Sequence, residues 1–349
     1  MDDNWKSPFE DFTSVWDIYL GNLEFFENEL SLKELNGDRN FDKLLEAFSI
    51  ATDNIIKKGQ EVEVRLRGSP GVVRAMKKKF RDRLSRWRVN NKFMRRCLEK
   101  PSGFPGDYLT IEMIYSYEPR LGKRLAGFFD RYLLYHSVAV RSRKEKMKKI
   151  LSDILDNPKV GKFDRPFKVL SLGSGSCREW YELSRESNDE RRKYPIVQLV
   201  CLDRDVEALE FSAKRLNQSN LNISCSSLHK SLLGFSRMES WHHNSFDLIY
   251  GLGIADYFFA FSLTKILTRA IRLLRRDGFF VLTHKDRAEF NLSPSDWLCD
   301  WRFVLRTKRN FTDLMRKVLA SLSNSARYRM NVERDSSNCV LFCIIKRIK

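Results

Sequence analysis

Up to about residue 155, apolar side chains recur at intervals of three and four, the period of helices with one buried face. Between residues 70 and 100 such a stripe runs Val73, Met76, Phe80, Leu84, Trp87, Met94 and Leu98. Ser69-Pro70 opens it with a helix-start signal, and arginines and lysines occupy its other faces. A second stripe, Met147, Ile150, Leu151, Ile154 and Leu155, opposes Arg141, Arg143, Lys144, Lys146, Lys148 and Lys149. The pattern predicts two basic amphipathic helices. Their outer faces are either solvated or bind an anionic partner.

From Phe167 the period changes to short apolar runs, KVLSLG, IVQLVCLD, LNISCSS, SFDLIYG and GFFVLTH, separated by helical stretches at 177–189, 205–217 and 262–276. Alternating strand and helix predicts an α/β fold with a parallel sheet covered on both faces. After a further helix near 310–322, two strands flank a polar Arg334-Asp335-Ser336-Ser337 turn, a closing antiparallel hairpin at the sheet edge. Asp156-Asn157-Pro158, Gly161 and Pro166 mark a boundary between an all-helical N-terminal domain, 1–160, and a sheet domain, 161–349.

Composition supports two cored units: 349 residues, 42% hydrophobic, with only 9 prolines. The net charge of +18 invites an anionic partner, but it is unevenly placed. Residues 1–56 carry 4 basic and 13 acidic side chains, a net −9, whereas 57–100 carry 16 and 4, a net +12. Seven cysteines without a C-x-x-C pair read as reduced thiols, and no metal-ligand spacing appears. The acidic start lacks an apolar signal core and no uncharged run spans a membrane, so a cytoplasmic protein is expected.

Candidate chemistry begins at Phe167-Lys168-Val169-Leu170-Ser171-Leu172-Gly173-Ser174-Gly175-Ser176-Cys177, a strand entering a G-x-G turn and then a helix. Such glycines let a ligand approach the main chain. Asp203 closes the next strand, where a carboxylate can accept both hydroxyls of a ribose. A dinucleotide oxidoreductase wants a further glycine where Arg178 stands. S-adenosylmethionine (SAM), with no pyrophosphate to cradle, tolerates that residue.

The order of glycine turn, ribose acid, Phe246-Asp247-Leu248-Ile249-Tyr250-Gly251-Leu252-Gly253 and Leu274-Arg275-Arg276-Asp277-Gly278-Phe279 resembles class I SAM-dependent methyltransferases across 167–346. Ser171 and Cys177 depart from that pattern, replacing a frequent acid and a third glycine. A narrower resemblance links Gly103-Phe104-Pro105-Gly106-Asp107-Tyr108 to bacterial methyltransferases related to the synthases of 3-hydroxy fatty acid methyl ester quorum signals. It extends to Ala139-Val140-Arg141-Ser142-Arg143-Lys144, Arg178-Glu179, Leu202-Asp203-Arg204-Asp205, Ala255-Asp256-Tyr257-Phe258 and Asp300-Trp301-Arg302-Phe303.

The resemblance implies a Rossmann-like sheet, mostly parallel with a C-terminal antiparallel hairpin, and SAM as cofactor. It implies that Ser171, Gly173, Ser174 and Gly175 lie by the methionine portion and Asp203 on the ribose. Arg204 or Asp205 would flank the adenine, with Ser226 or Ser227 near its amine and Tyr250-Gly251 near the reacting methyl. Asp107, in a 103–110 loop that covers the crevice, and His284, at the end of the fifth strand, are the catalytic candidates; Asp107 alternatively caps the helix beginning at Tyr108. Tyr108, Tyr115, Tyr117 and Tyr257 are candidates for lining an apolar acceptor pocket, and His242-His243 reads as a solvated pair.

Three readings stay open. The first is O-methylation of a small acidic or acyl acceptor, with an anionic membrane surface or carrier protein as partner. The second is a nucleic-acid ribose methyltransferase using the basic segment. The third is a non-catalytic SAM-binding protein.

Overall fold

The computed structural model describes residues 6–32, 38–88, 90–116, 125–157, 165–186, 194–241, 244–322 and 327–348; Tyr117, His242, His243 and residues 158–164 of the expected boundary lie outside them. In chain order the elements are α1 (Lys6–Leu32), α2 (Asp38–Arg65), α3 (Pro70–Arg83), α4 (Ser85–Arg88), α5 (Lys92–Glu99), α6 (Tyr108–Ser116), α7 (Leu125–Tyr135) and α8 (Val138–Leu155). There follow β1 (Phe167–Leu172), α9 (Arg178–Glu186), β2 (Val197–Asp203), α10 (Val206–Leu216), β3 (Ile223–His229), α11 (Leu232–Phe235) and β4 (Phe246–Gly251). After a 3-10 turn at Ala255–Tyr257 come α12 (Ala260–Arg272), β5 (Leu274–Lys285), α13 (Ser293–Cys299), α14 (Lys308–Ala320), β6 (Tyr328–Arg334) and β7 (Val340–Arg347).

Two compact units result, 1–137 with 291–302 and 138–290 with 303–349. The division falls at Ser137/Val138 and not at 160/161. The reason is α8, which buries Met147, Leu151, Ile154 and Leu155 in one core with β1 and β2. The chain also leaves the second unit at Asn291 and returns at Phe303, lending α13 to the first.

In the first unit the 70–100 stripe buries Met76, Phe80, Leu84, Trp87 and Met94 as its period predicts, but it folds as three helices. Asn91, in extended conformation, accepts the Met94 N–H at 2.7 Å and starts α5 afresh. Phe12 and Phe80 pack edge-on against Trp297, with ring centroids 5.3 and 5.6 Å away. A Cβ on Gly59 would stand 2.4 Å from the Trp297 ring. Gly59→Ala is therefore expected to lower stability by about 1–3 kcal/mol through overpacking. A urea denaturation midpoint equal to wild type would contradict this.

Opposite charges in the early segments meet inside this unit. Arg83 reaches Asp17 at 2.7 Å and Arg86 reaches Glu27 at 2.9 Å. Lys77 is buried between Glu63 at 2.8 Å and Asp296 at 2.5 Å, while Lys100 and Arg81 share Asp300 at 2.6 and 3.4 Å. Much of the basic segment thus has an internal partner, and its +12 is a poorer sign of a nucleic-acid surface than the bare count suggests.

The second unit is built on a seven-stranded sheet in the order β3-β2-β1-β4-β5-β7-β6. Pairings are parallel from β3 through β5, and antiparallel for β5 with β7 and β7 with β6. One face packs on α12 and α14 through Leu263, Ile266, Leu267, Phe311 and Met315; the other packs on α8, α9 and α10 through Met147, Leu151, Trp180, Leu183 and Leu209. β1 and β4 are buried on both faces, which explains why their runs are mostly apolar, interrupted by Lys168 and Ser171 in β1 and by Asp247 in β4. Among the described residues no helix is long and apolar enough to cross a membrane.

Candidate cofactor site

β1 ends at Leu172, and the chain then turns through Gly173 at φ 61°, Gly175 at φ 53° and Cys177 at φ 48°, all left-handed. The two glycines serve different needs. A Cβ on Gly173 would lie 2.6 Å from Ile254 Cγ2, whereas a Cβ on Gly175 would meet nothing within 4 Å. Gly173 is required by packing, and Gly175 opens its backbone to space a ligand can fill. The left-handed backbone at Cys177 explains why glycine is the easier residue there. Its thiol is buried 3.4 Å from Cys201 Sγ, consistent with the absence of disulfides among the seven cysteines.

Asp203 ends β2, the strand next to β1, and its Oδ2 accepts the Gly175 N–H at 2.9 Å while Oδ1 accepts the Asp205 N–H at 3.1 Å. Turn and carboxylate are thereby locked together. A carboxylate offers about four acceptor positions, so Asp203 keeps capacity for a further donor such as a ribose hydroxyl. Burial pushes the Asp203 carboxyl above the ordinary aspartate range, outweighing the N–H groups of Gly175, Asp205 and Arg204 that favour its charge. Ser174 Oγ is buried without a hydrogen-bond partner among the described residues. An open Gly175 backbone, an orphaned hydroxyl and a carboxylate with spare acceptor capacity fit a nucleoside bearing an amino-acid tail.

Ser171 and Tyr250 do not face that space. Tyr250 is 1% exposed; its hydroxyl donates to Glu179 Oε1 at 2.5 Å, accepts from Trp180 Nε1 at 3.0 Å and meets the Ser171 hydroxyl. Strand alternation sends both side chains under α9, so neither approaches a reacting methyl. Gly251 keeps its place at the end of β4, where a Cβ would meet Ile254 Cδ1 at 2.5 Å.

The adenine candidates separate. Asp205 caps α10, accepting the Glu207 N–H at 3.1 Å, and Arg204 stands exposed at the end of β2, its carbonyl 3.1 Å from His229 Nε2. Ser226 and Ser227 lie within β3, not after it: Ser227 stands opposite Cys201, and His229 stands opposite Asp203. The serines are solvent-facing residues of an edge strand. The connection after β3 is instead Lys230-Ser231, where Ser231 Oγ caps α11 by accepting the Gly234 N–H at 3.0 Å.

Both catalytic candidates are tied up in the scaffold. Asp107 is fully buried; Oδ1 caps α6 through the Thr110 N–H at 2.8 Å and accepts Arg96 Nε at 2.9 Å, and Oδ2 pairs with Arg96 at 2.7 Å. The capping alternative is the one realised. His284 is also fully buried, with Nε2 accepting the Arg306 N–H at 2.9 Å. Its neutral ring therefore carries hydrogen on Nδ1, which lies 2.8 Å from Asp256 Oδ1. With Nε2 accepting the Arg306 N–H, Nδ1 facing the Asp256 carboxylate and its ring stacked on Phe311 at 5.0 Å, the buried His284 is not placed to act as a base. Tyr108 and Tyr115 lie half-buried on α6 of the first unit, and Tyr257 is partly exposed in the second, its ring 5.7 Å from Phe303.

Two residues that the sequence motifs contain without a stated role gain one here. Asp256 is buried between Lys285 Nζ at 2.7 Å, the Lys285 N–H at 2.9 Å and His284. Burial would raise its carboxyl, but Lys285 and His284 outweigh it and hold it well below the usual range. Glu179 lies buried under the sheet, and burial pushes its carboxyl up despite the Tyr250 hydrogen bond. Lysine directly after histidine on an apolar strand was the available signal for the first.

The chain is similar in structure to a possible exported protein from Bordetella parapertussis, at 16% identity and a TM-score of 0.52, covering 70% of this chain and 80% of that one. Weaker likenesses include the CMeT domain of the citrinin polyketide synthase, at 14% identity and a TM-score of 0.45 over 79% and 69% of the two chains. Another is magnesium protoporphyrin IX methyltransferase from Synechocystis PCC 6803 with bound SAH, at 8%, 0.43, 62% and 87%. These likenesses bear on the fold. No family model and no curated protein matches the chain. The strand order, the antiparallel closing hairpin and the glycine turn at the end of β1 give the second unit the Rossmann-like fold of class I methyltransferases.

Proposed function

We propose that this chain is a SAM-dependent methyltransferase acting on a small acceptor, and that the acceptor atom is a carboxylate oxygen of a fatty or hydroxy-fatty acid. The observation that carries the cofactor reading is Asp203, tied to the Gly175 N–H and keeping acceptor capacity for a ribose hydroxyl. When bound, SAM supplies an activated methyl on a sulfonium.

The chain's own part is binding and alignment. Asp203 fixes the ribose, and the Gly173–Gly175 turn brings main chain against the ligand. Orientation of this kind provides most of what an in-line displacement needs. A carboxylate acceptor is already ionised at neutral pH and needs no base, which agrees with Asp107 and His284 being engaged elsewhere. The acyl-acid reading is further supported by the resemblance of the 103–108 and 255–258 segments to the ester synthases, and by Phe259 and Phe261, 75% and 73% exposed beside Tyr257. An acyl carrier protein or an anionic membrane surface is the partner class such a substrate requires.

The test is methyl transfer from labelled SAM to 3-hydroxy and plain fatty acids of graded chain length. Base-labile labelled ester is the expected product. Wild-type protein that binds SAM but turns over none of the acids would remove the acceptor assignment. RNA or DNA binding with a steep salt dependence would favour the ribose methyltransferase instead.

A further inference from the structure

The charges along α8 are not treated alike. Lys144 pairs with Glu145 at 2.8 Å and with Glu182, and Lys148 pairs with Glu145 at 2.8 Å and Glu186 at 2.6 Å. Arg143, the residue just before Lys144, is 7% exposed, yet its guanidinium makes no hydrogen bond or ion pair among the described residues, and its Nε is wholly buried. A buried cation without an anion is costly and persists only where something else requires it.

Its location is specific. The guanidinium lies against Gly253, where φ is +74° and a Cβ would stand 2.1 Å from the nearer terminal nitrogen. Only glycine leaves room for it. Gly253 follows the end of β4, and its N–H donates to Thr283 Oγ1 of β5 at 2.8 Å. The group thus sits at the carboxyl end of the sheet, beside the strand that neighbours the glycine turn.

The nearby anions are committed elsewhere: Glu179, close enough to feel the Arg143 charge, accepts from Tyr250, and Asp256 is held by Lys285 and His284. Lys285 adds positive charge within reach of Arg143. The buried Ser174 Oγ in the glycine turn likewise has no hydrogen-bond partner among the described residues.

We infer that Arg143 is the receptor for a ligand carboxylate at this end of the sheet. A guanidinium fork matches the two oxygens of a carboxylate, and in a buried setting such a pair is strong. Two ligands of the proposed reaction carry that group: the methionine tail of the cofactor, and a carboxylic acid acceptor. The inference rests on the methyltransferase reading, and the experiment separates them.

Calorimetry on wild type, Arg143→Gln and Arg143→Lys would use three probes: S-adenosylhomocysteine, 5′-methylthioadenosine, which lacks the amino-acid tail, and 3-hydroxydecanoate added to protein saturated with S-adenosylhomocysteine. If the cofactor tail is the partner, R143Q loses about 10- to 100-fold in affinity for S-adenosylhomocysteine and keeps its affinity for methylthioadenosine. If the acceptor is the partner, nucleoside binding is unchanged and 3-hydroxydecanoate binding falls by a similar factor. Either result supports the assignment, with R143K intermediate because it keeps charge but not the fork. Thermal melts guard against misfolding: removal of an unpaired buried cation leaves the melting temperature equal or higher, which a merely structural arginine would not do.

Unchanged binding of all probes by R143Q, or equal loss of both nucleosides, overturns the assignment while leaving the cofactor reading intact. Wild-type protein that binds neither nucleoside overturns both.

Discussion

Asp203→Ala is expected to weaken S-adenosylhomocysteine binding by about 100-fold or more in calorimetry. The residue offers a ribose hydroxyl a hydrogen bond to a charged acceptor, worth about 1.5–3 kcal/mol, and about 1.4 kcal/mol corresponds to tenfold in affinity. The loss has a second component: the Gly175 and Asp205 N–H groups both donate to Asp203, so the alanine also loosens the turn. Asp203→Asn separates the two, keeping one acceptor oxygen and an intermediate affinity. The wild-type pH profile carries the same signature. With burial raising the Asp203 carboxyl, its protonation begins at a higher pH than for an exposed aspartate, and affinity falls as pH drops through that raised value. Binding by D203A equal to wild type would remove the nucleoside site from the end of β2.

Asp256→Ala is expected to be the most destabilising single substitution considered for the second unit, at about 3–5 kcal/mol, because it leaves the buried Lys285 ammonium without its anion. The same change strips the Lys285 N–H and the His284 ring of an acceptor. Chemical denaturation would read the loss, and Asp256→Ala with Lys285→Met should recover part of it, since removing both charges restores balance. Acid has the same effect by another route. The folded Asp256 carboxyl titrates below its unfolded value, so its stabilisation is fully present above the ordinary aspartate range and is lost as pH falls toward the depressed folded value. D256A should therefore show a shallower fall in stability with acid than wild type. A fall as steep as that of wild type would mean that the pair contributes nothing.

The contrast between Asp203 and His284 shows what could be read ahead. Both are polar residues at the carboxyl end of an apolar strand, and both are site candidates by position, Asp203 for a ribose and His284 for catalysis. Asp203 keeps acceptor capacity because the backbone groups it binds come from its own turn and from the adjacent glycine turn. His284 is consumed by Arg306, Asp256 and Phe311, which approach from other parts of the chain. Tyr250 and Ser227 fail for a similar reason: their positions depended on the side of the strand and the length of β3, which pairing register decides. Asp107 met a partner eleven residues back, Arg96, that no spacing rule singles out.

From the amino-acid pattern alone come the α/β nature of the second unit, its closing hairpin, the buried stripe of 70–100 and the pairing of a glycine turn with Asp203. All of these are short-range properties, written in apolar period, turn residues and the order of adjacent strands. Tertiary structure alone decided that α8 joins the sheet and α13 the helical unit, that the basic segment meets acidic partners, and that Arg143 has none among the described residues. Whether a charge is a solvated surface, half of an ion pair or an empty receptor depends on what distant residues bring against it. Local sequence records the charge; only packing records its partner.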